Sequence, residues 1–253
     1  MYIHHTYELL EPTQELSVYK QHLLALCKIN LRRANKFNLL AVYGALSCLQ
    51  NKSFSSNIGI YVATEHGAVE SLVSVLEQVS KGDGIIMPFD FLGINTNASF
   101  YIAQALKAKG KHMVLSAHHQ SFEKALELAY FDVTYADVED VLIGHVETSL
   151  EFLEPLHRPC GEEVCLDKSC WIYANQNPAN ALAKIERIES FESIEKAEEH
   201  YSTTLSPTLF WEQLKCLKEK KTSLHVKSDE CGKCMVITLS KPNQKESTIK
   251  KPN

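Results

Sequence analysis

Ile58-Gly-Ile-Tyr-Val-Ala63 is a short run of apolar and β-favouring residues, preceded by the polar turn Ser53–Asn57. Apolar residues without alternation over this length fit a strand buried on both faces, as in a parallel sheet. Working outward from it, Ala68–Val79 reads as a helix stopped by Lys81-Gly-Asp-Gly84. Asn97–Lys107 reads as a second helix, ended at Lys109-Gly110. Met113-Val-Leu-Ser-Ala117 is the next strand, Ser121–Phe131 a helix, and Val138–Val146 contains another strand. On the N-terminal side, residues 2–7 form a first strand, 14–28 a helical segment and Arg33–Leu49 a helix with apolar positions at Phe37, Leu40, Ala41, Gly44, Ala45 and Cys48.

Beyond a loop-like stretch at 149–168, Ser169–Ala174 and Leu182–Ile188 read as strands joined by Asn175-Gln-Asn-Pro-Ala-Asn180. Thr208–Lys220 is a helix, and Leu224–Lys227 and Met235–Leu239 are the arms of a hairpin. Strand and helix alternating in this way imply an α/β fold: a mixed, mostly parallel five-stranded sheet, helices on both faces, and a C-terminal helix and β-hairpin. The division expected is a main domain over 1–195, a helix–hairpin extension of the same domain over 196–240, and a disordered lysine-rich tail over 241–253.

With 253 residues, 45% of them hydrophobic, the chain can bury a sizeable core. A net charge of −5 and a pI near 6.1 speak against a nucleic-acid binder. No charged leader with an apolar run opens the chain, and no apolar stretch is long enough to span a bilayer, so a soluble, cytoplasmic protein with no membrane span is expected. The eight cysteines are then reduced thiols. Cys231-Gly-Lys-Cys234 has the spacing of half a zinc site, and Cys160, Cys165 and Cys170 could add ligands, but there is no second close pair. A hairpin turn is the preferred reading, and no metal or cofactor is expected.

Ligands of such sheets bind beyond the carboxyl ends of the strands, which directs attention to the segments after Ala63, Ala117 and Val146. Those segments, taken in order, resemble the N-terminal half of β-ketoacyl synthases. Ile58-Gly-Ile-Tyr-Val-Ala-Thr-Glu-His-Gly67 is similar to the strand and glycine turn GVVIGTGxG of that family. Met87-Pro-Phe-Asp-Phe-Leu-Gly-Ile-Asn-Thr-Asn97 is similar to SPxxFxNSxxN, and Ala136–His145 to ADxxLVGG. Val114-Leu-Ser-Ala-His-His-Gln-Ser-Phe-Glu-Lys-Ala-Leu126 falls where the family has its nucleophile motif, xxSTACASGxxAI. The resemblance runs over about residues 33–190 and is strongest to short β-ketoacyl synthase-like N-terminal domain proteins and chain-length factors of fatty-acid, aryl-polyene and polyketide pathways.

A decarboxylating Claisen condensation needs a thiolate to carry the acyl chain and donors for the oxyanion. The resemblance puts His119 at the nucleophile position, with a one-residue shift putting His118 or Gln120 there instead. None of these holds a stable thioester. The second half of a full synthase, which carries its catalytic histidines, has no room after Ser190. By the same resemblance Ser116, Phe122, His66, Phe91 and Asn95 line the substrate side of the pocket. A Ser116/His119/Glu65 hydrolase lacks the G-x-S-x-G turn. The basic cluster Lys28, Arg32, Arg33 and Lys36 reads either as a solvated helix face or as a seat for an acidic acyl carrier protein. The resemblance therefore implies a non-catalytic partner that shapes an acyl tunnel together with an active β-ketoacyl synthase, or dimerises with itself. An acyltransferase or hydrolase using the remnant pocket is the alternative.

Overall fold

A computed structural model describes residues 1–81, 94, 97–151 and 166–242. The described strands are β1 (Tyr2–Pro12), β2 (Gly59–Ala63), β3 (His112–Leu115), β4 (Asp140–Glu147), β5 (Leu166–Asn175), β6 (Ala183–Phe191), β7 (Thr222–Ser228) and β8 (Cys234–Ser240). The described helices are α1 (Leu16–Leu26), α2 (Lys36–Cys48), α3 (Val69–Lys81), α4 (Ala98–Leu106), α5 (Ser121–Tyr135), α6 (Ile194–Tyr201) and α7 (Phe210–Cys216).

The strands form one sheet in the order β3-β2-β4-β5-β1-β6-β8-β7. The α/β class and the C-terminal helix and hairpin stand, but the sheet has eight strands rather than five. It is parallel only where β2 pairs with β3 and with β4; the other pairings are antiparallel. The difference has a topological cause. β5 and β6 do not pair with each other across the 175–180 turn, because β1 lies between them and pairs with both. The hairpin β7–β8 then joins the same sheet through β6.

Each face of the sheet carries its own core. Met1, Ile3, Ile143 and Ile172 pack with Phe122, Leu126 and Ala129 of α5 and with Phe210 and Trp211 of α7. Ile60, Val62, Leu142 and Trp171 pack with residues of α1, α2 and α4 on the other face. β2 is buried along its whole length because helices cover both sides, which is why its sequence shows no alternation.

α2 begins where Asn35 turns its side-chain oxygen to accept from the backbone N–H of Asn38 at 2.8 Å. Its apolar face presses so closely on the sheet that Gly44 has no room for a methyl group: a Cβ there would stand 2.2 Å from Ser169 Oγ and 2.5 Å from Trp171 Nε1. Gly144 of β4 is confined on the same indole, with a Cβ placed 2.4 Å from Trp171 Cδ2. Trp171 is fully buried, and its N–H donates to Ser169 Oγ at 2.9 Å. No described helix is long and apolar enough to cross a membrane.

Candidate functional site at the β3–α5 turn

The carboxyl ends of β3, β2 and β4 lie side by side, with Leu115 paired to Ala63 and Ala63 to His145. The turn that follows β2 brings Glu65 and His66 to this edge, the turn that follows β3 brings residues 116–120, and the end of β4 supplies Glu147. Ser116, His66, His118, His119 and Gln120 all lie in the turns at this edge. Phe91 and Asn95 lie outside the described residues.

The β3–α5 turn is held by its own hydrogen bonds. Ser121 Oγ accepts from the Ala117 N–H at 2.8 Å and donates to the His118 carbonyl at 2.6 Å. His118 takes a positive φ of 48°, a strained conformation for a residue with a Cβ. His119 Nδ1 sits 2.9 Å from Glu65 Oε2, while its Nε2 sits 3.4 Å from Glu230 Oε1. Ser116 Oγ donates to the Glu65 carbonyl at 3.2 Å rather than to His119, so no Ser–His relay is formed. Gln120 does not face an open pocket: its side-chain amide donates at 3.3 Å to the carbonyls of Lys227 and Lys233. Phe122 is buried beneath the turn, stacked on His145 with ring centroids 5.9 Å apart.

Glu147 organises the β2 side. Its carboxylate accepts from the backbone N–H groups of Glu65 and His66. It also lies 3.4 Å from His66 Nδ1 and 3.4 Å from His145 Nε2. Burial is the largest influence on this carboxyl and pushes its pKa up. The close approach of the His145 and His66 imidazoles and the Glu65 N–H outweigh it and hold the group at about 2. The same bond to Glu147 raises the pKa of His66, against the opposing effect of its burial.

A second carboxylate–imidazole pair lies deeper. Glu123, in the first turn of α5, meets His225 Nε2 of β7 at 2.8 Å, and His225 Nδ1 is 3.1 Å from Thr208 Oγ1. Both side chains are buried. Burial pushes Glu123 up, but the hydrogen bond and charge of His225 bring it below the ordinary carboxylate range. This pair and the Gln120 bonds fix the β7–β8 hairpin against the β3–α5 turn, so that Glu230 at its tip reaches His119.

The role of the hairpin, of Glu147 and of His145 was not read from sequence. The hairpin tip is more than a hundred residues from the turn it covers, and His145-Val-Glu147 reads as the tail of a strand. One available signal was the i, i+2 spacing of His145 and Glu147, which puts both side chains on one face of a strand. Cys231-Gly-Lys-Cys234 forms the hairpin turn, with Asp229 Oδ1 accepting from the N–H groups of Cys231 and Lys233 at 2.9 and 2.8 Å. Among the described residues no group of three or more His, Cys, Asp and Glu side chains is arranged to hold a metal. In the basic cluster, Lys36 is committed to the buried carboxylate of Asp167 at 3.1 Å, which leaves Lys28, Arg32 and Arg33 on the surface.

The site offers three imidazoles set against carboxylates, His66, His119 and His145, and a helix N-terminus, a set suited to proton transfer or to polar binding. It offers no thiol within the β3–α5 turn. No protein-family model and no curated protein sequence matches the chain. Solved structures do. A chain of the ketosynthase (ApeO) in complex with its chain length factor (ApeC) from Xenorhabdus doucetiae aligns with 16% identity and a TM-score of 0.61, over 95% of this chain and 99% of that one. The ishigamide ketosynthase/chain length factor aligns with 11% identity and a TM-score of 0.71, over 96% and 99%. The ketosynthase complex of AntDE with the acyl-carrier protein AntF of a type II polyketide synthase aligns with 11% identity and a TM-score of 0.67, over 94% and 98%. The chain has the thiolase-like fold of the ketosynthases and their chain length factors.

Proposed function

We propose that the protein is a non-catalytic, chain-length-factor-type partner of an active β-ketoacyl synthase in a bacterial fatty-acid, aryl-polyene or polyketide pathway, where it helps to shape the acyl tunnel. The observation that carries this is the β3–α5 turn itself. The fold is that of the ketosynthases, and the turn that the resemblance equates with their nucleophile motif carries His118, His119 and Gln120 and no thiol. Two of the solved structures similar in fold are described as complexes or pairings of a ketosynthase with a chain length factor, and a third contains an acyl-carrier protein. These support an acidic acyl carrier protein as a second partner, with Lys28, Arg32 and Arg33 as its basic seat.

The test is intact-mass analysis after incubation with acyl carrier substrates. The protein alone is expected to gain no acyl adduct, and to co-purify with a full-length synthase when the two are co-expressed. A stable adduct on the isolated chain would defeat the non-catalytic reading. The alternative, an acyltransferase or hydrolase, draws support from the His119–Glu65 contact, since a carboxylate behind an imidazole orients it as a base. In that case the isolated chain would turn over acyl substrates, and the activity would vanish in His119→Ala.

A further inference from the structure

One groove, of about 820 Å³, lies away from the β3–α5 turn, between α7, β1 and the 178–183 segment. Its apolar floor is formed by Trp211, Leu214, Leu217 and Leu182, the last of these 55% exposed. Its rim carries three lysines, Lys215, Lys218 and Lys241, against one carboxylate, Glu8. Glu8 is neutralised by Lys215 at 2.9 Å, and Lys241 Nζ is bound only to the Lys218 carbonyl, at 2.9 Å. Neither Lys218 nor Lys241 meets a carboxylate among the described residues, so the rim holds two uncompensated positive charges above an apolar floor.

We propose that this groove binds a long-chain carboxylate, its chain along the Trp211–Leu182 floor and its head group between Lys218 and Lys241. The volume falls within the range of ligand sites, which are mainly apolar with a few placed polar groups. Lysine stems extend the apolar wall while their ammonium groups meet the anion. A neutral or cationic amphiphile has no counterpart for the rim charges. The groove also reaches the nucleophile turn through one layer of rings, because Trp211 packs on Phe122 at 5.7 Å and Phe122 stacks on His145. Occupancy of the groove is thereby positioned to be felt at the Glu147 cluster. The proposal stands apart from the synthase-partner reading, since it needs neither the partner nor the nucleophile position.

Trp211 reports directly on the floor, whereas Trp171 is sealed in the opposite core. The experiment titrates the full chain with dodecanoate below its micelle concentration, reading tryptophan emission and calorimetry, with dodecylammonium as the charge-reversed control. Saturable dodecanoate binding is expected, with no emission change in Trp211→Phe. Affinity should fall at least about tenfold in Lys218→Glu/Lys241→Glu, corresponding to about 1.4 kcal/mol. Leu182→Asp, which leaves the lysines in place, should weaken binding as well. Circular dichroism checks that each variant retains the fold. Absence of saturable binding, equal binding of dodecylammonium, or a folded double lysine variant with unchanged affinity would overturn the proposal.

Discussion

Glu147 takes two backbone N–H groups from the β2 turn and faces two imidazoles, so its charge is what holds that turn in place. Replacing it with Gln keeps the shape but weakens every one of these contacts. Glu147→Gln is expected to cost about 1–3 kcal/mol in urea unfolding. His119→Ala should stay within about 0.5 kcal/mol, because that imidazole is half exposed and its pairing is screened. The pH dependence follows from the same contacts. A carboxyl held at about 2 against an ordinary 4.5 contributes stability that is fully present above the ordinary value and is lost as pH falls toward 2. His66, raised above 6.5, contributes stability below that pH and loses it as pH rises through its raised value. Wild-type urea midpoints should therefore fall more steeply than those of Glu147→Gln between about pH 5 and 2. Parallel curves for the two proteins would show that Glu147 is not the group responsible.

At the scale of elements, β3 is the open edge of the sheet, and its ladder shows which residues a partner could use. Lys111 O accepts from Ile60 N–H and Leu115 O from Thr64 N–H, so the odd-numbered residues of this strand face β2. Val114 faces outward. If the synthase partner adds at this edge, Val114→Pro should abolish association while leaving the β2 ladder and the circular dichroism spectrum intact. Leu115→Pro, which removes an inward N–H, should instead destabilise the fold by about 1–3 kcal/mol. Light scattering and pull-down on both variants distinguish the two effects, and a folded Val114→Pro with full association would place the interface elsewhere. The opposite edge is guarded: Thr208 covers Val226 of β7 through bonds to both its N–H and its C=O at 2.9 Å. Sequence periodicity located nearly every strand and helix here, because burial on one or two faces leaves a local imprint. It missed α6, whose residues are mainly polar and whose buried contact is Ala197. It located the turn residues of the site but not their partners, since Glu230, Lys227 and His225 meet them only after the sheet closes.

The whole molecule is organised around an indole seated between two glycines. Gly44 on α2 and Gly144 on β4 both rest on Trp171, and this contact sets how closely the helical layer approaches the sheet. Gly144→Ala must push against a ring that is fully buried and cannot yield, and should cost about 1–3 kcal/mol in thermal or chemical unfolding. A neutral outcome would mean that the layers can part more easily than their packing suggests. The strand order was legible only in part for a related reason. The alternation of β2, β3 and β4 with helices implies their parallel pairing, but nothing local in Tyr2–Tyr7 marks it as the strand that separates β5 from β6. That placement has a consequence for synthesis. β1 leaves the ribosome more than 150 residues before its partners Leu166–Asn175 and Ala183–Lys184. At about 5–20 residues per second it must wait roughly 10–30 s for them, its backbone N–H and C=O groups unpaired in the nascent chain. The centre of the sheet can therefore close only after residue 184 has been made.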